Sequence, residues 1–364
     1  MKINKIALVA ALASTMATSI AQAQVKITGY LESSYMTGSG KNVSAATFSP
    51  NGGTGTATTA ILDPQKGIGN ESQLRFTTTH SVMGMTAEAM LELRRQGGST
   101  PSVYEERELR LSTADGSIIA FVGTDFQRGI ETVRNVYPSV NNRAGDIIGG
   151  QTGIIDPLDS TSGESYIGIE LPKLAGSTRV SFAYAPQLST SGNMTSYNSD
   201  VLLDRSTANQ NRYSIGITQP IGPVTLGVGY MGGENKIAAS GASDQDPESK
   251  SIGLRYVAGP VGLGAQYFIN NNPTATSTKN EDKQKTVSGT YALTKELSIG
   301  LIYTVQENTA LGVTDPDKIK QQVIQAGYNL GPVVFQGDYV RVRDAQYINN
   351  QEVDAVKLKA KVNF

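Results

Sequence analysis

The sequence predicts an all-β fold, a sixteen-stranded antiparallel barrel that crosses a membrane, on the basis of three patterns. At the C-terminus, apolar and polar residues alternate and the chain ends on an aromatic residue, Phe364. Along most of the chain, short separators rich in Gly, Pro and Asn alternate with long polar ones. At the N-terminus, residues 1–23 have the organisation of an export signal.

The last strand has one apolar face and one wet face. One parity carries Val356, Leu358, Ala360, Val362 and Phe364. The other parity carries Lys357, Lys359, Lys361 and Asn363. Because side chains point alternately to the two faces of a strand, three lysines share one face. A membrane barrel with lipid outside and water inside accommodates this pattern, whereas the final strand of a soluble sandwich rarely shows it.

The N-terminal segment reads as a secretory signal peptide. Lys2 and Lys5 precede the apolar run 6–20, and the small-x-small pattern 21–23 follows it. The run is too short and too rich in Ser, Thr and Ala to span a bilayer as a helix, so a retained anchor is the less favoured alternative. We therefore expect one barrel domain over residues 24–364.

Composition narrows the class further. The chain has no cysteine, which excludes disulfides, zinc-thiolate centres, iron–sulfur clusters and cysteine nucleophiles. Its hydrophobic fraction is 38% and its mean hydropathy is −0.23. A membrane barrel is compatible with such averages, because lipid-facing and lumen-facing residues alternate. The formal net charge of −1 gives no reason to expect a nucleic-acid partner.

Separators of two sizes predict the strand number. The short ones, which supply turn residues, are 81–84, 114–117, 172–176, 219–223, 257–260, 293–296 and 329–332. The long polar ones are 38–69, 97–103, 126–163, 186–210, 232–248, 270–282, 306–317 and 342–350. Strict alternation predicts sixteen strands with short periplasmic turns and long external loops, and the first strand (25–35) pairs with the last. The alternative, a soluble multi-domain all-β protein, would not explain why short and long separators alternate.

Parity also predicts the face of each residue. Outward candidates are Leu74, Phe76, Ala87, Leu91, Leu93, Val180, Phe182, Tyr184, Tyr213, Ile215, Ile217, Leu226, Val228, Tyr230, Ile252, Leu254 and Tyr256. Inward basic candidates are Lys26, Arg75, Arg94, Arg110, Arg179, Arg212, Arg255, Lys357, Lys359 and Lys361. Inward acidic candidates are Glu32, Glu88, Glu92, Glu106, Glu108, Glu170 and Asp338. So many charges require water on that face, so we expect a wet lumen.

The chain resembles the Gram-negative general porins, most closely the type found in β-proteobacteria. The resemblance is carried by Val25-Lys-Ile-Thr-Gly-Tyr30, Glu71-Ser-Gln-Leu-Arg-Phe76, Glu88-Ala-Met-Leu-Glu-Leu93, the hairpin from Arg110 to Gly123, Tyr166-Ile-Gly-Ile-Glu-Leu-Pro172 and Phe364. It implies a homotrimer in the outer membrane, in contact with lipid and lipopolysaccharide, whose third external loop, here 126–163, folds into the lumen. It also implies that the terminal aromatic serves as an assembly signal. The chain departs from the family at 122–125 and 142–146, near the narrowest point.

Selective passage through such a channel needs charged groups at close quarters. Arg75, Arg94 and Arg110 lie on neighbouring strands and share the inward parity. On the inward loop and at its end they would face five acidic residues: Glu131, Asp146, Asp156, Asp159 and Glu164. This arrangement would set a transverse field across the lumen. The alternative is that the arginines are solvated or paired with Glu88, Glu92 and Glu108; the three C-terminal lysines complete the expected pore lining.

Three further features of the sequence give weaker evidence for a functional site. His80, the one histidine, has outward parity at a strand end, so it does not suit a barrel hydrolase. The run 227–232 matches a dinucleotide fingerprint by letters, but no helix pattern follows and its first glycines have lumen-facing parity. The acidic stretches 244–248 and 315–317 could bridge lipopolysaccharide phosphates through a divalent cation, although acids in external loops usually meet only solvent.

The sequence thus favours a passive, non-enzymatic channel for small hydrophilic solutes and ions, with no cofactor. A substrate-specific channel for an anion or organic acid is the alternative, because inward basic candidates outnumber acidic ones by ten to seven. A barrel enzyme or an adhesin is less favoured, since there is neither a histidine-centred site nor a separate passenger domain.

Overall fold

A computed structural model describes most of the chain. The described residues are 25–41, 62–96, 106–113, 118–124, 129–133, 136–140, 165–171, 177–185, 208–237, 248–271, 281–308, 318–345 and 350–364. The predicted signal peptide, residues 1–23, lies outside them. Among the described residues, no helix is long and apolar enough to cross a membrane.

Sixteen strands and one short 3-10 helix make up the described structure. The first eight strands are β1 (Val25–Lys41), β2 (Leu62–Val82), β3 (Met85–Gln96), β4 (Glu106–Ser112), β5 (Ile118–Thr124), β6 (Ser165–Glu170), β7 (Arg179–Ala185) and β8 (Ala208–Ile221). The other eight are β9 (Val224–Ile237), β10 (Glu248–Ala258), β11 (Val261–Asn271), β12 (Glu281–Ala292), β13 (Leu297–Asn308), β14 (Lys318–Leu330), β15 (Val333–Arg343) and β16 (Glu352–Asn363). The 3-10 helix, Gly129–Val133, follows β5.

The strands close into one barrel in which each strand pairs with its sequence neighbours and β1 pairs with β16. All pairs are antiparallel, and the closing pair runs from Tyr30 opposite Asn363 to Lys41 opposite Glu352. At the seam, the N–H of Phe364 donates to the carbonyl of Gly29 at 3.0 Å, and the N–H of Gly29 donates to the carbonyl of Phe364 at 2.9 Å. Closure leaves no free sheet edge, which a membrane requires. The predicted fold class is confirmed.

The tight turns lie where Gly and Pro predicted them. Between β8 and β9, Gly222 has φ +57° and precedes Pro223; between β14 and β15, Gly331 has φ +59° and precedes Pro332. A side chain strains the backbone in this left-handed region, so glycine is the favoured residue. These turns gather at the end of the barrel opposite the long connections, as expected for a bacterial outer-membrane barrel.

Several strands run further than the sequence predicts. β1 continues to Lys41 and β2 starts at Leu62, so the expected loop 38–69 is too long and the expected first strand is too short. Pairing continues through Gly38 opposite Gln65, beyond the length that a bilayer needs. β8 and β9 likewise extend into the expected loops 186–210 and 232–248. Backbone pairing continues there, in sequence that lacks the apolar alternation of the membrane-spanning part.

The predicted faces are found in the barrel. Outward residues such as Ile252 and Leu358 are 57% and 52% exposed on the surface of the barrel, as expected for apolar side chains that face lipid. At the long-loop ends the alternation inverts. On β14, Lys318 and Lys320 share the outward face with Ile324, while Ile319 and Val323 point inward and are fully buried. The outward change from lysine to isoleucine marks where water gives way to lipid.

Candidate pore lining and constriction

Part of the third external loop lies inside the barrel. Tyr137 packs in one buried cluster with Met36 of β1, Val340 of β15 and Ala355 of β16. Tyr137 also lies against Gly264 of β11. These strands lie far apart around the barrel. Their inward-facing residues can contact the same side chain only if that side chain lies in the lumen. This confirms an inward-folded third loop for residues 129–133 and 136–140, which we call the inner segment.

A track of glycines on the inner wall seats the inner segment. A Cβ atom at Gly229 would lie 2.6 Å from Cγ1 of Ile130, and one at Gly227 would lie 2.5 Å from Cγ2 of Val136. These distances are shorter than van der Waals contact, so only a residue without a side chain fits. The track, which we call the glycine seat, comprises Gly216, Gly227, Gly229, Gly253, Gly262, Gly264 and Gly300. Gly227 and Gly229, which belong to the run that resembles a dinucleotide motif, therefore provide space for the side chains of the inner segment.

Three hydrogen bonds fix the inner segment along the wall. The N–H of Gly129 donates to Oγ of Ser181 on β7 at 2.9 Å. Nε2 of Gln266 on β11 donates to the carbonyl of Val133 at 3.4 Å. The N–H of Val140 donates to Oε1 of Gln325 on β14 at 3.1 Å. The segment therefore runs around the inner wall from β7 to β14.

The wall near this segment is rich in uncharged polar groups. The set, which we call the amide–hydroxyl wall, comprises Ser249, Ser251, Gln266, Gln284, Thr286, Ser288, Thr304, Gln306, Gln321 and Gln325. All ten are buried. Many bond across strands: the hydroxyls of Thr286 and Thr304 are 3.1 Å apart, and Nε2 of Gln284 lies 3.3 Å from Oε1 of Gln306. Cross-strand hydrogen bonds satisfy buried polar groups that water does not reach.

The wall formed by β2–β7 is charged instead. The set, which we call the charged wall, comprises Arg75, Glu88, Glu92, Glu108, Arg110, Glu170 and Arg179. All seven positions share the inward face by register.

Ion pairs run across the charged wall. Arg75 pairs with Glu92, to which Gln73 also donates. Arg110 pairs with Glu88. Nε and Nη2 of Arg179 donate to the carboxylate of Glu170 at 2.5 and 2.7 Å. For Arg75 and Arg110, the structure thus shows the pairing within the wall that the sequence left as an alternative.

Pairing does not remove the two arginines from the lumen. The side chains of Arg75 and Arg110 keep 37% and 28% of their exposure, although Glu92 beneath Arg75 is buried. A guanidinium that is partly exposed and held by a carboxylate presents a fixed positive surface to passing solutes. Their predicted place on the inner wall is found, and their role in a constriction stays a prediction.

The acidic side of the predicted constriction lies outside the described residues. Asp146, Asp156 and Asp159 fall there, and so do the side chains of Arg94 and Glu131. Glu108 is buried on β4. The predicted opposition of basic wall and acidic loop therefore remains a prediction.

The C-terminal lysines have the inward face that alternation predicts. Nζ of Lys359 lies 3.0 Å from Oε1 of Glu32, across the seam between β16 and β1. Nζ of Lys361 lies 3.5 Å from the centre of the Tyr30 ring, a cation–π contact. Lys357 stands opposite Asp338 in the register of β15 and β16. The seam is thus basic and partly compensated.

The remaining motifs contribute no site. His80 pairs in register with Ala87 on the outward face, as predicted. Of the acidic stretch 244–248, only Glu248 is described, and it pairs with Lys250 at 2.9 Å; residues 315–317 lie outside the description. No group of three or more potential metal ligands occurs in the described part of the chain.

Sequence reasoning missed the glycine seat and the amide–hydroxyl wall. Inward parity was visible for Gly227 and Gly229, but their contacts with Ile130 and Val136 lie about a hundred residues away in sequence. A usable signal was the run of inward glycines on consecutive strands. A barrel wall that lacks side chains at several adjacent positions needs something else to fill the space.

Comparison with known proteins agrees with the architecture. Residues 173–311 match the family model of Gram-negative porins, and no curated protein sequence matches the chain. The anion-selective porin from Comamonas acidovorans has a similar structure, with a TM-score of 0.66 and 12% identity over 94% of this chain and 100% of that one.

Two further structures share the fold. For the outer membrane channel DcaP of Acinetobacter baumannii, the TM-score is 0.65 and the identity 15% over 95% of this chain and 99% of that one. A mutant of the Rh. blastica porin gives 0.59 and 13% over 94% of this chain and 100% of that one. The family match over residues 173–311 and the closed barrel confirm the resemblance to Gram-negative porins that the sequence shows.

Proposed function

We propose that this chain forms a water-filled channel in the outer membrane, through which small hydrophilic solutes and ions diffuse passively. The observation that carries the proposal is the contrast between the two faces of one closed barrel. The outward face is apolar around the middle of the strands, whereas the inward face bears partly exposed arginine and glutamate side chains. Charges on the inner face of a membrane barrel require water beside them.

The inner segment gives this channel a size limit. It occupies part of the lumen over the glycine seat and leaves the charged wall as the side that solutes meet. Passage past a charged wall in a narrow space favours hydrated and dipolar solutes over apolar ones. No step in this function requires a nucleophile or a general base, and His80, the one histidine, faces outward.

A second candidate, a channel specific for anions or organic acids, is favoured by the lysines of β16. Lys357, Lys359 and Lys361 form a basic strip along the seam, where Nζ of Lys359 lies 3.0 Å from Oε1 of Glu32. The Comamonas acidovorans protein of similar fold is an anion-selective porin. At 12% identity, that likeness concerns the fold and serves here only to suggest the measurement.

Liposome swelling separates the two candidates. Liposomes that contain the purified protein are exposed to uncharged sugars of graded size and to organic acids of matched size. A general channel gives rates that fall smoothly with size, whatever the solute. A rate for one acid far above that of a sugar of equal size would favour the specific channel, and no swelling with any solute would contradict the channel itself.

Export, assembly and oligomeric state complete the proposal. We expect the mature protein to begin near Gln24 and to form homotrimers that survive detergent without heating and dissociate on boiling. Mass spectrometry of the N-terminus and electrophoresis of unheated samples test these points. A mature protein that retains residues 1–23, or a monomer under every mild condition, would contradict the corresponding expectation.

We expect Phe364 to be needed for assembly. Its backbone closes the seam with Gly29, and its ring lies beside Gly29 on the outward face at the end of the last strand. Replacing Phe364 by Asp should leave protein in the periplasm, because a charged side chain at this interface is costly. Asn363→Ala, on the opposite face of the same strand end, is the control. Normal surface levels of the Phe364→Asp variant would argue against the role.

A further inference from the structure

The closing seam of the barrel lacks a connection that would fix its register. Each of the other strand pairs is joined by the chain that runs between its two strands, and a tight turn such as the one at Gly331 fixes the register of β14 and β15. β1 and β16 come from opposite ends of the chain and are paired along the seam without such a turn. Contacts between the two strands must therefore set their register.

The faces and the charges of the two strands do not settle this register. A slip by one residue moves side chains to the wrong face, whereas a slip by two residues keeps every side chain on its face. β16 carries Lys357, Lys359 and Lys361 at intervals of two, so such a slip replaces one lysine by the next. Glu32, which lies 3.0 Å from Lys359, would then be placed to pair with Lys357 or Lys361. The ion pair with Glu32 can thus form in all three registers.

The outward face of the seam has one contact that does not repeat. Gly29 is the one glycine among residues 25–35, and Phe364 is the one aromatic residue among residues 352–364. A Cβ atom at position 29 would lie 2.9 Å from Cζ and 3.2 Å from Cε2 of Phe364, and closer still to the carbonyl oxygen of Gln73 on β2. The ring therefore occupies space that only a residue without a side chain leaves free.

The neighbouring outward positions of β1 do not offer this space. Ile27 and Leu31, two residues to either side of Gly29, carry large side chains that are 53% and 60% exposed. In a register slipped by two residues, Phe364 would stand opposite one of these side chains, and Gly29 would lose the ring that covers it. A ring over a glycine on the neighbouring strand shields the backbone there. The slipped registers lose this contact, and the native register keeps it.

We propose that the ring of Phe364 and the space at Gly29 set the register in which the barrel closes. The backbone hydrogen bonds between the same two residues, at 2.9 and 3.0 Å, complete the ladder once the ring lies in place. This role concerns which residues of β1 and β16 pair, not whether the chain reaches the membrane or what passes through it. It therefore goes beyond the proposed channel and can be tested without measuring conduction.

Pairs of introduced cysteines report the register, since the natural chain has none. Ser34 stands opposite Lys359. This is a non-hydrogen-bonded pair, because the hydrogen-bonded pair of Phe364 lies five residues away, and its Cα atoms are about 4.5 Å apart, which suits a disulfide. The in-register reporter combines Ser34→Cys with Lys359→Cys. The two slipped reporters combine Ser34→Cys with Lys357→Cys or with Lys361→Cys.

The reporters are unfolded in urea, refolded into detergent micelles and oxidised, and the cross-linked fraction is measured by mass spectrometry after proteolysis. With no further change, the in-register reporter should cross-link far more than the other two. Phe364→Ala should raise both slipped cross-links severalfold. Leu31→Gly provides a second space two residues along β1, so the Lys361→Cys reporter should gain a cross-link and the Lys357→Cys reporter should not.

Two matched controls separate the ring contact from other contacts of the seam. Leu31→Ala shortens the same side chain but keeps its Cβ atom, and Glu32→Gln removes the ion pair; neither should change the register. The proposal is overturned if Phe364→Ala refolds with the in-register cross-link alone, or if Leu31→Gly gives no Lys361→Cys cross-link. An equal rise of both slipped cross-links in Leu31→Gly, or a slip caused by Glu32→Gln, would also overturn it. If Phe364→Ala does not refold, Leu31→Gly decides.

Discussion

The two sides of the inner wall differ in how their polar side chains are paired and in how far they are exposed. On the charged wall, Arg110 pairs with Glu88 and its side chain keeps 28% of its exposure. On the amide–hydroxyl wall, Thr304 has 0% exposure and shares its hydrogen bond with Thr286. Both sides belong to the same face of the same barrel. The difference teaches that inward parity alone does not define the lining of a channel.

The difference follows the inner segment. Where the inner segment lies over the wall, most inward polar positions are glycines, amides and hydroxyls, and the buried carboxylates of Asp282 and Asp338 accept hydrogen bonds from Gln306 and Gln325. On the charged wall, arginine and glutamate side chains form ion pairs instead. Burying a neutral polar group with a hydrogen bond costs little, whereas burying a charge costs much more. We therefore propose that one side works as a scaffold that sets the width of the passage, and the other as the surface that solutes meet.

The largest effect is expected from filling the glycine seat. In Gly229→Leu, the new side chain has no room, because a Cβ atom there already lies 2.6 Å from Cγ1 of Ile130. The inner segment must move away from the wall and into the lumen, so single-channel conductance should fall severalfold. Planar-bilayer recordings measure this.

Gly289→Leu is the matched control for the glycine seat, since it makes the same replacement on the outward face with the nearest atom 3.6 Å from the Cβ position. Its conductance should equal that of the unaltered channel. Unchanged or increased conductance in Gly229→Leu would mean that the seat does not set the width of the passage.

The next effect concerns charge. Arg110→Glu places a second carboxylate beside Glu88 on the side that solutes meet. Two charges ~6 Å apart at an effective dielectric constant of ~20–40 interact by about 1–3 kcal/mol. Preference for cations over anions should therefore rise severalfold, and the change should shrink as salt increases. Reversal potentials under a salt gradient measure it.

Leu109→Glu makes the same charge change on the other face of β4, where Leu109 stands opposite the lipid-exposed Val122. It should impair assembly, and any inserted channel should keep its selectivity, because a carboxylate on the lipid face is destabilising. If Leu109→Glu assembles normally and Arg110→Glu leaves the reversal potential unchanged, the two faces of β4 are wrongly assigned.

A smaller effect is expected from Gln325→Leu. Gln325 accepts the N–H of Val140 at 3.1 Å and donates to Asp338 at 3.1 Å, and it is buried. Its loss leaves the partly buried N–H of Val140 without this partner and the buried carboxylate of Asp338 without its donor, at a cost of about 1–3 kcal/mol. The unfolding temperature in detergent should fall. Gln322→Leu, an exposed outward neighbour on β14, should change it much less.

The smallest effect tests whether the amide–hydroxyl wall stabilises by pairs. Thr304→Val alone leaves the Thr286 hydroxyl without its 3.1 Å partner and should cost about 1 kcal/mol. Adding Thr286→Val restores a matched apolar pair of the same shape, so the double variant should regain most of the loss. Thermal unfolding of the single and double variants measures the difference, and additive losses would contradict the pairing.

Regular alternation made the barrel predictable, because a period of two fixes faces wherever lipid and water lie on opposite sides of a strand. The faces of Arg110, Lys359 and Phe364 could be assigned this way. Strand ends could not: above the membrane, backbone pairing continues on β1 to Lys41 without the lipid-facing pattern. The inward apolar residues Ile319 and Val323 appear where that pattern inverts.

Contacts between distant segments lay beyond sequence reasoning. Nothing local to Gly229 indicates that Ile130 will lie against it, and nothing in the spacing of Arg110 selects Glu88 as its partner over Glu92 or Glu108. Register decides the ion pairs, and the path of the inner segment decides which inward residues meet water. Both follow from tertiary packing rather than from a local pattern.

Cysteine accessibility tests the difference between the two walls most directly. The natural chain contains no cysteine, so a single introduced thiol reports without background. A charged, water-soluble thiol reagent added to open channels should react quickly with Arg110→Cys and reduce its current. It should react slowly or not at all with Thr304→Cys, because the Thr304 side chain is fully buried on the amide–hydroxyl wall, and with Leu109→Cys on the lipid face. Equal reaction rates for Arg110→Cys and Thr304→Cys would show that both walls are open to water, and would contradict the account.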